Sequence, residues 1–133
     1  MLRAGISLAV VIVFALSGPS SAAVVTYRNV TSPSKLISCL AMKYGGPGVE
    51  CSAPYLPRKY DLDPYFELHP HGKTKTGERG DYVGYPGAKQ HTLRYGDTWK
   101  RPGIRCSMAA NGLTCHNLDG HGFHMQKGHL RRF

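Results

Sequence analysis

Apolar residues in this chain come in short runs separated by turn-forming residues, and no long stretch keeps a helical period. Runs suited to strands fall at 24–27, 36–42, 49–53, 65–68, 82–85, 92–95, 104–108, 113–116 and 123–125. With 16 Gly and 9 Pro as punctuation, a helix would be broken before it could nucleate. The pattern predicts a small antiparallel all-β domain, sandwich- or barrel-like. Pro54, Pro57, Pro64 and Pro70 make 54–72 an irregular connection or edge, the chain around 54–90 is expected to be an irregular, exposed segment, and the polar stretch 72–80 is expected as a loop. The expected core is Leu36, Ile37, Leu40, Val49, Tyr55, Phe66, Leu68, Leu93, Tyr95, Trp99, Ile104, Leu113 and Phe123.

The start of the chain follows a different rule. Arg3 precedes an apolar run at 6–16, broken only by Ser7, and then Gly18-Pro19 and the small residues Ser20, Ser21, Ala22 and Ala23. A positive end, an apolar run and a small-residue exit make the layout of a secretory signal peptide. A membrane-spanning helix needs about 20 apolar residues, more than this run supplies. Residues 1–22 are therefore expected to be a signal peptide, cleaved after Ala22 or Ala23. Residues 23–133 are expected to form one soluble, secreted domain outside the cytoplasmic membrane, with no integral membrane segment left after signal removal.

Cysteine usage agrees with export. The 4 Cys, at 39, 51, 106 and 115, all lie beyond the signal segment, and an even number in an exported chain points to two disulfides. Three pairings are open on sequence alone. Local geometry favours one. The turn Tyr44-Gly-Gly-Pro-Gly48 sets Cys39 opposite Cys51, and the Asn111-Gly112 turn sets Cys106 opposite Cys115. Zinc binding would need tighter spacing than either pair has.

Several of these residues also resemble a known set. Ser32-Pro-Ser34, Ile37-Ser-Cys39 and Val49-Glu-Cys51 stand near the front. Leu93-Arg-Tyr-Gly-Asp-Thr-Trp99, Gly103-Ile-Arg-Cys-Ser107, Gly112-Leu-Thr-Cys-His-Asn117 and Gly120-His-Gly-Phe123 follow. Together they resemble a family of small secreted, mostly actinobacterial proteins of unknown function, over residues 32–56 and 93–133. The resemblance implies export, disulfides and a β fold; it implies no activity.

Charge raises the question of partners. Lys and Arg number 17 against 8 Asp and Glu, a net charge of +9, and Arg3 is the only charged residue in the expected signal. Such an excess draws a protein toward anionic partners, or simply keeps it soluble. Trp99-Lys100-Arg101 with Arg105, and Arg131-Arg132 beside Phe133, mix cations with aromatic rings and are candidates for binding an anionic polymer or cell-surface component. Gly120-His121-Gly122-Phe123 is expected to be a structural turn. No catalytic residue, cofactor or metal is assigned: His69-Pro-His71 and His121-Gly-Phe-His124 could each offer two nitrogens, but a third ligand is missing.

The leading expectation is thus a non-enzymatic extracellular binding module. One alternative is a small hydrolase of nuclease type, with Glu50, Glu67 or Glu78 as base and His69, His91 or His121 as acid. The other is a purely structural envelope protein whose charge serves solubility. No protein partner is indicated.

Overall fold

The computed structural model describes residues 12–13, 21–59, 61–80 and 89–133. The run at 82–85 lies outside the described residues, and so does nearly all of the expected signal. No helix is present among the described residues. The elements are β1 (Val24–Val25), β2 (Asn29–Thr31), β3 (Ser38–Ala41), β4 (Val49–Ser52), β5 (Asp63–Leu68) and β6 (Lys75–Arg79), then β7 (His91–Thr92), β8 (Thr98–Arg101), β9 (Ile104–Ala109), β10 (Gly112–Asn117), β11 (Gly122–Gln126) and β12 (His129–Arg132).

They form two sheets. The first has the order β1-β8-β9-β10-β11-β12 and the second the order β6-β5-β4-β3-β2-β7. Pairing is antiparallel except at two ends, where β1 runs parallel to β8 and β2 parallel to β7. The amino-terminal segment therefore starts in one sheet and continues into the other. Side chains fasten that crossing: the Trp99 indole donates to the Tyr27 carbonyl at 2.7 Å, and the Arg101 guanidinium donates to the Thr26 carbonyl at 2.8 Å.

Alternation in β9 shows how the sequence selects its faces. Ile104, Cys106 and Met108 are buried while Arg105 and Ser107 are exposed, as the two-residue side-chain period of a strand requires. Inward residues of both sheets make one cluster, with Phe66 of β5 against Phe123 of β11 at a ring-centroid distance of 5.3 Å. Both disulfides cross antiparallel neighbours within a sheet. Cys39 on β3 bonds Cys51 on β4, and Cys106 on β9 bonds Cys115 on β10, each pair directly opposite in register.

Three expectations need correction. The stretch 72–80 is not wholly loop, because β6 occupies 75–79 and pairs with β5 along five positions. Its lack of apolar residues reflects an edge strand, which carries charge on its free side; Tyr65 covers Gly77 where a side chain would otherwise stand. The segment 54–90 is accordingly only partly irregular, since β5 and β6 both lie within it. Finally, Leu36 and Tyr95 are 44% and 57% exposed and lie outside the strands, and the interior takes Val30, Leu56, Met108 and Met125 instead.

The closing turn between β10 and β11 depends on a residue the sequence pattern did not single out. Asn117 is buried; its side-chain amide donates to the carbonyls of His69 and Gly72, and its oxygen accepts the N–H groups of Asp119 and His121. Asp119 adds a second tie, accepting from the Gly72 N–H at 2.8 Å and lying 3.0 Å from His71 Nδ1. That imidazole contact, followed by the Gly72 N–H, holds the exposed Asp119 carboxyl below its ordinary range. These bonds pin the β5–β6 connection of one sheet to the β10–β11 turn of the other. Replacing Asn117 with Ala would strand two carbonyls and two N–H groups, so a loss of about 2–3 kcal/mol is expected in urea unfolding.

Candidate anion-binding face

Two cross-strand rows build the outer face of the first sheet. One runs Lys100 (β8), Arg105 (β9), His116 (β10) and Gly122 (β11); the other runs Thr98, Ser107, Thr114, His124 and Arg131. Residues facing each other across strands share a side, and the opposite side is fixed by the buried Trp99, Cys106, Cys115, Phe123 and Met125. His129 joins the outer face through its pairing with Gln126. From β8 to β12 the face spans about 19 Å, taking roughly 4.8 Å per strand spacing.

Its charge is of one sign. Lys100, Arg105, His116, His129 and Arg131 are exposed, no carboxylate stands in either row, and none among the described residues forms an ion pair with Lys100, Arg105 or Arg131. The carboxylates are elsewhere. Glu50, Asp63 and Glu67 stand on β4 and β5 of the second sheet with Arg79, Arg58 and His69 beside them. Asp97 is buried in the turn before β8, and Asp119 is bound to His71. The sandwich therefore has one mixed outer face and one basic outer face.

The sequence candidates divide accordingly. Lys100, Arg105 and Arg131 stand together on the basic face. Arg101 does not: it pairs opposite Ile104 and spends its guanidinium on the Thr26 carbonyl. Arg132 pairs with Phe123 and lines a cleft of about 590 Å³ at the open edge between β5, β6 and β12, with Pro64, Phe66 and Leu130. Trp99 is not a stacking plate at all, being fully buried. The ring that belongs to the basic face is Phe133, 39% exposed and 5.1 Å from the Arg131 guanidinium carbon. His121 sits in the turn, its backbone N–H held by Asn117 and its Nδ1 3.4 Å from the Phe133 carbonyl. Gly122 could not be another residue, since a Cβ there would collide with the Cys115 carbonyl.

No family model, curated protein or solved structure matches this chain. The residues must speak for themselves.

The residues considered for acid–base chemistry are mostly scattered. His91 stacks on Tyr27, at 4.0 Å between ring centroids, on the far edge strand β7. Glu78 lines the open-edge cleft, and His121 is at the β10–β11 turn. One pair does converge: His69 Nε2 and Glu67 Oε1 lie 2.5 Å apart, with His69 Nδ1 2.9 Å from the Pro47 carbonyl. In the neighbouring cross-strand position Glu50 is bonded to Arg79. Among the described residues no group of three or more His, Cys, Asp or Glu is placed to hold a metal ion.

Proposed function

We propose that this chain is an exported, disulfide-stapled β domain that acts without catalysis, binding an anionic polymer or cell-surface component through the outer face of its first sheet. The observation that supports this reading most directly is the separation of charge: cations and imidazoles stand on adjacent strands of one outer face, and no carboxylate among the described residues stands in either of its two rows. Unpaired cations on a continuous face attract polyanions by releasing condensed counterions. Two disulfides agree with an oxidising destination. The signal-like segment 1–22 and the resemblance to secreted actinobacterial proteins support export.

The test is binding of the oxidised chain to single-stranded DNA, RNA, a teichoic-type polymer and anionic vesicles across a salt series. Affinity for at least one of them is expected to fall steeply with salt. Exchanging Lys100, Arg105 and Arg131 together for Gln should flatten the log–log salt slope by about 2–3, roughly 0.7–0.9 per lost contact to a nucleic-acid phosphate. An unchanged slope in that variant, or no binding at low salt, would reduce the charge to a solubility device.

A second reading has one specific support, the contact of Glu67 with His69 beside the Glu50–Arg79 pair. A carboxylate, an imidazole and a guanidinium on neighbouring strands are the groups a phosphodiester hydrolase uses. Should the RNA samples be cleaved, and cleavage disappear in Glu67→Gln, this hydrolase reading would displace the binding module.

A further inference from the structure

Export leaves two equivalent cleavage points on sequence grounds. Cutting after Ala22 puts Ala22 and Ser20 in the small-residue positions, and cutting after Ala23 puts Ala23 and Ser21 there. The fold distinguishes them. The backbone nitrogen of Ala23 donates to Asp97 Oδ1 at 3.1 Å. The Asp97 side chain is only 2% exposed, and its other oxygen is taken by the Arg94 N–H at 2.8 Å. Among the described residues, the other charged group recorded near Oδ1 is the Arg94 guanidinium, at 3.5 Å.

We infer that processing occurs between Ala22 and Ala23, and that the α-ammonium group so created is an ion-pair partner built into the fold for the buried carboxylate of Asp97. The inference rests on the export reading and deepens it. Hydrolysis adds the hydroxyl of water to the Ala22 carbonyl carbon and a proton to the Ala23 nitrogen. The new Ala22 carboxyl loses a proton and the new amine takes one up, so charge and atoms balance. A bond from an uncharged N–H to the carboxylate thereby becomes one between an ammonium and a carboxylate, which adds the attraction of two opposite charges. Cutting one residue later would remove this donor from the buried Oδ1.

Neighbouring geometry agrees with this assignment. Ser21 and Ala22 are exposed, so the bond to be cut lies outside the packed domain, whereas Ala23 is half-buried. The Ala23 carbonyl already accepts the Thr98 N–H at 2.9 Å, the first rung of the parallel β1–β8 pairing. That pairing covers only Val24 and Val25, so β1 has little else to hold its start. Although burial opposes ionisation of Asp97, the Arg94 and Ala23 N–H donors and the Arg94 guanidinium together keep its carboxyl below the ordinary range, so it is an anion when the new terminus arrives.

Two measurements test the assignment. The full chain is expressed in a secreting bacterium, and the product in the medium is analysed by intact mass and amino-terminal sequencing. A first residue of Ala23 is expected. A start at Val24, Ala22 or anywhere else overturns the inference while leaving export intact; a product retained in the cell with residues 1–22 attached overturns the export reading itself. Oxidised chains starting at Ala23 and at Ala22, released from a cleavable tag, are then compared by thermal unfolding. The Ala23 chain should melt higher by on the order of 5 °C, and Asp97→Asn should abolish that difference. Equal melting points for the two wild-type chains would refute the ion pair whether or not Asp97→Asn folds.

Discussion

Reducing both disulfides is expected to remove roughly 5–6 kcal/mol of stability, a third or more of what a domain of this size has in total. The loops closed by Cys39–Cys51 and Cys106–Cys115 have sequence separations of 12 and 9. In the chain-entropy model each restricts the unfolded ensemble by about 2.5–3 kcal/mol. A domain of this size has only about 5–15 kcal/mol in total, and its core holds few large side chains. The two bonds act separately, one in each sheet, so their effects should be nearly additive. Urea titrations of the oxidised protein, of the Cys39→Ser/Cys51→Ser variant, of the Cys106→Ser/Cys115→Ser variant and of the fully reduced chain measure this. A reduced chain with an unchanged urea midpoint would show that the sheets hold by packing alone.

Exchanging Trp99 for Ala should cost about 4–5 kcal/mol, the largest single-residue loss in the molecule. The indole is wholly buried between the sheets, and removing a buried Trp costs about 3–5 kcal/mol through lost transfer energy and the cavity left behind. It also deprives the Tyr27 carbonyl of its donor, a further cost of about 1 kcal/mol or more. Trp99→Phe separates the two effects, keeping most of the volume while losing the N–H. Urea unfolding of both variants should rank them Ala far below Phe, with Phe still below wild type. Neither should alter the salt dependence of polyanion binding in the folded fraction, because the ring does not reach the basic face. A Trp99→Phe protein that folds normally but no longer binds would contradict that assignment.

These two expectations sit at opposite ends of what could be read from residues. The cysteine pairs were legible because each hairpin carries its own turn chemistry: Gly45 and Gly46 adopt positive φ, as does Gly112, and such turns fix register locally. Trp99 was not legible in the same way. A ring flanked by Lys100 and Arg101 has the composition of a binding plate, and only the placement of β8 between β1 and β9 shows that the ring points inward while Lys100 points out. The strand period flips the side of successive residues, so adjacent positions in sequence can serve opposite purposes.

The edge strands illustrate the other limit. Residues 75–79 and 129–132 lack the apolar alternation that marks a strand, because an edge is exposed and is protected by charge rather than by burial. Asn117 escaped notice for a related reason. Its four hydrogen bonds join groups up to 48 residues apart, and nothing near position 117 encodes the His69 and Gly72 carbonyls. The Asn-x-x-Gly spacing of 117–120 signals a turn, but not one that ties two sheets together.

By itself the sequence determined the fold class and most of the interior and favoured the disulfide pairs that formed, since these follow from periodicity and from turns acting over a few residues. Tertiary structure alone decided which cations share a face, because that depends on which strands become neighbours. It also decided that the Ala23 nitrogen meets Asp97, a contact across 74 residues. Local chemistry sets which way each side chain points along its own strand. Only the packing of sheet on sheet decides what it meets there.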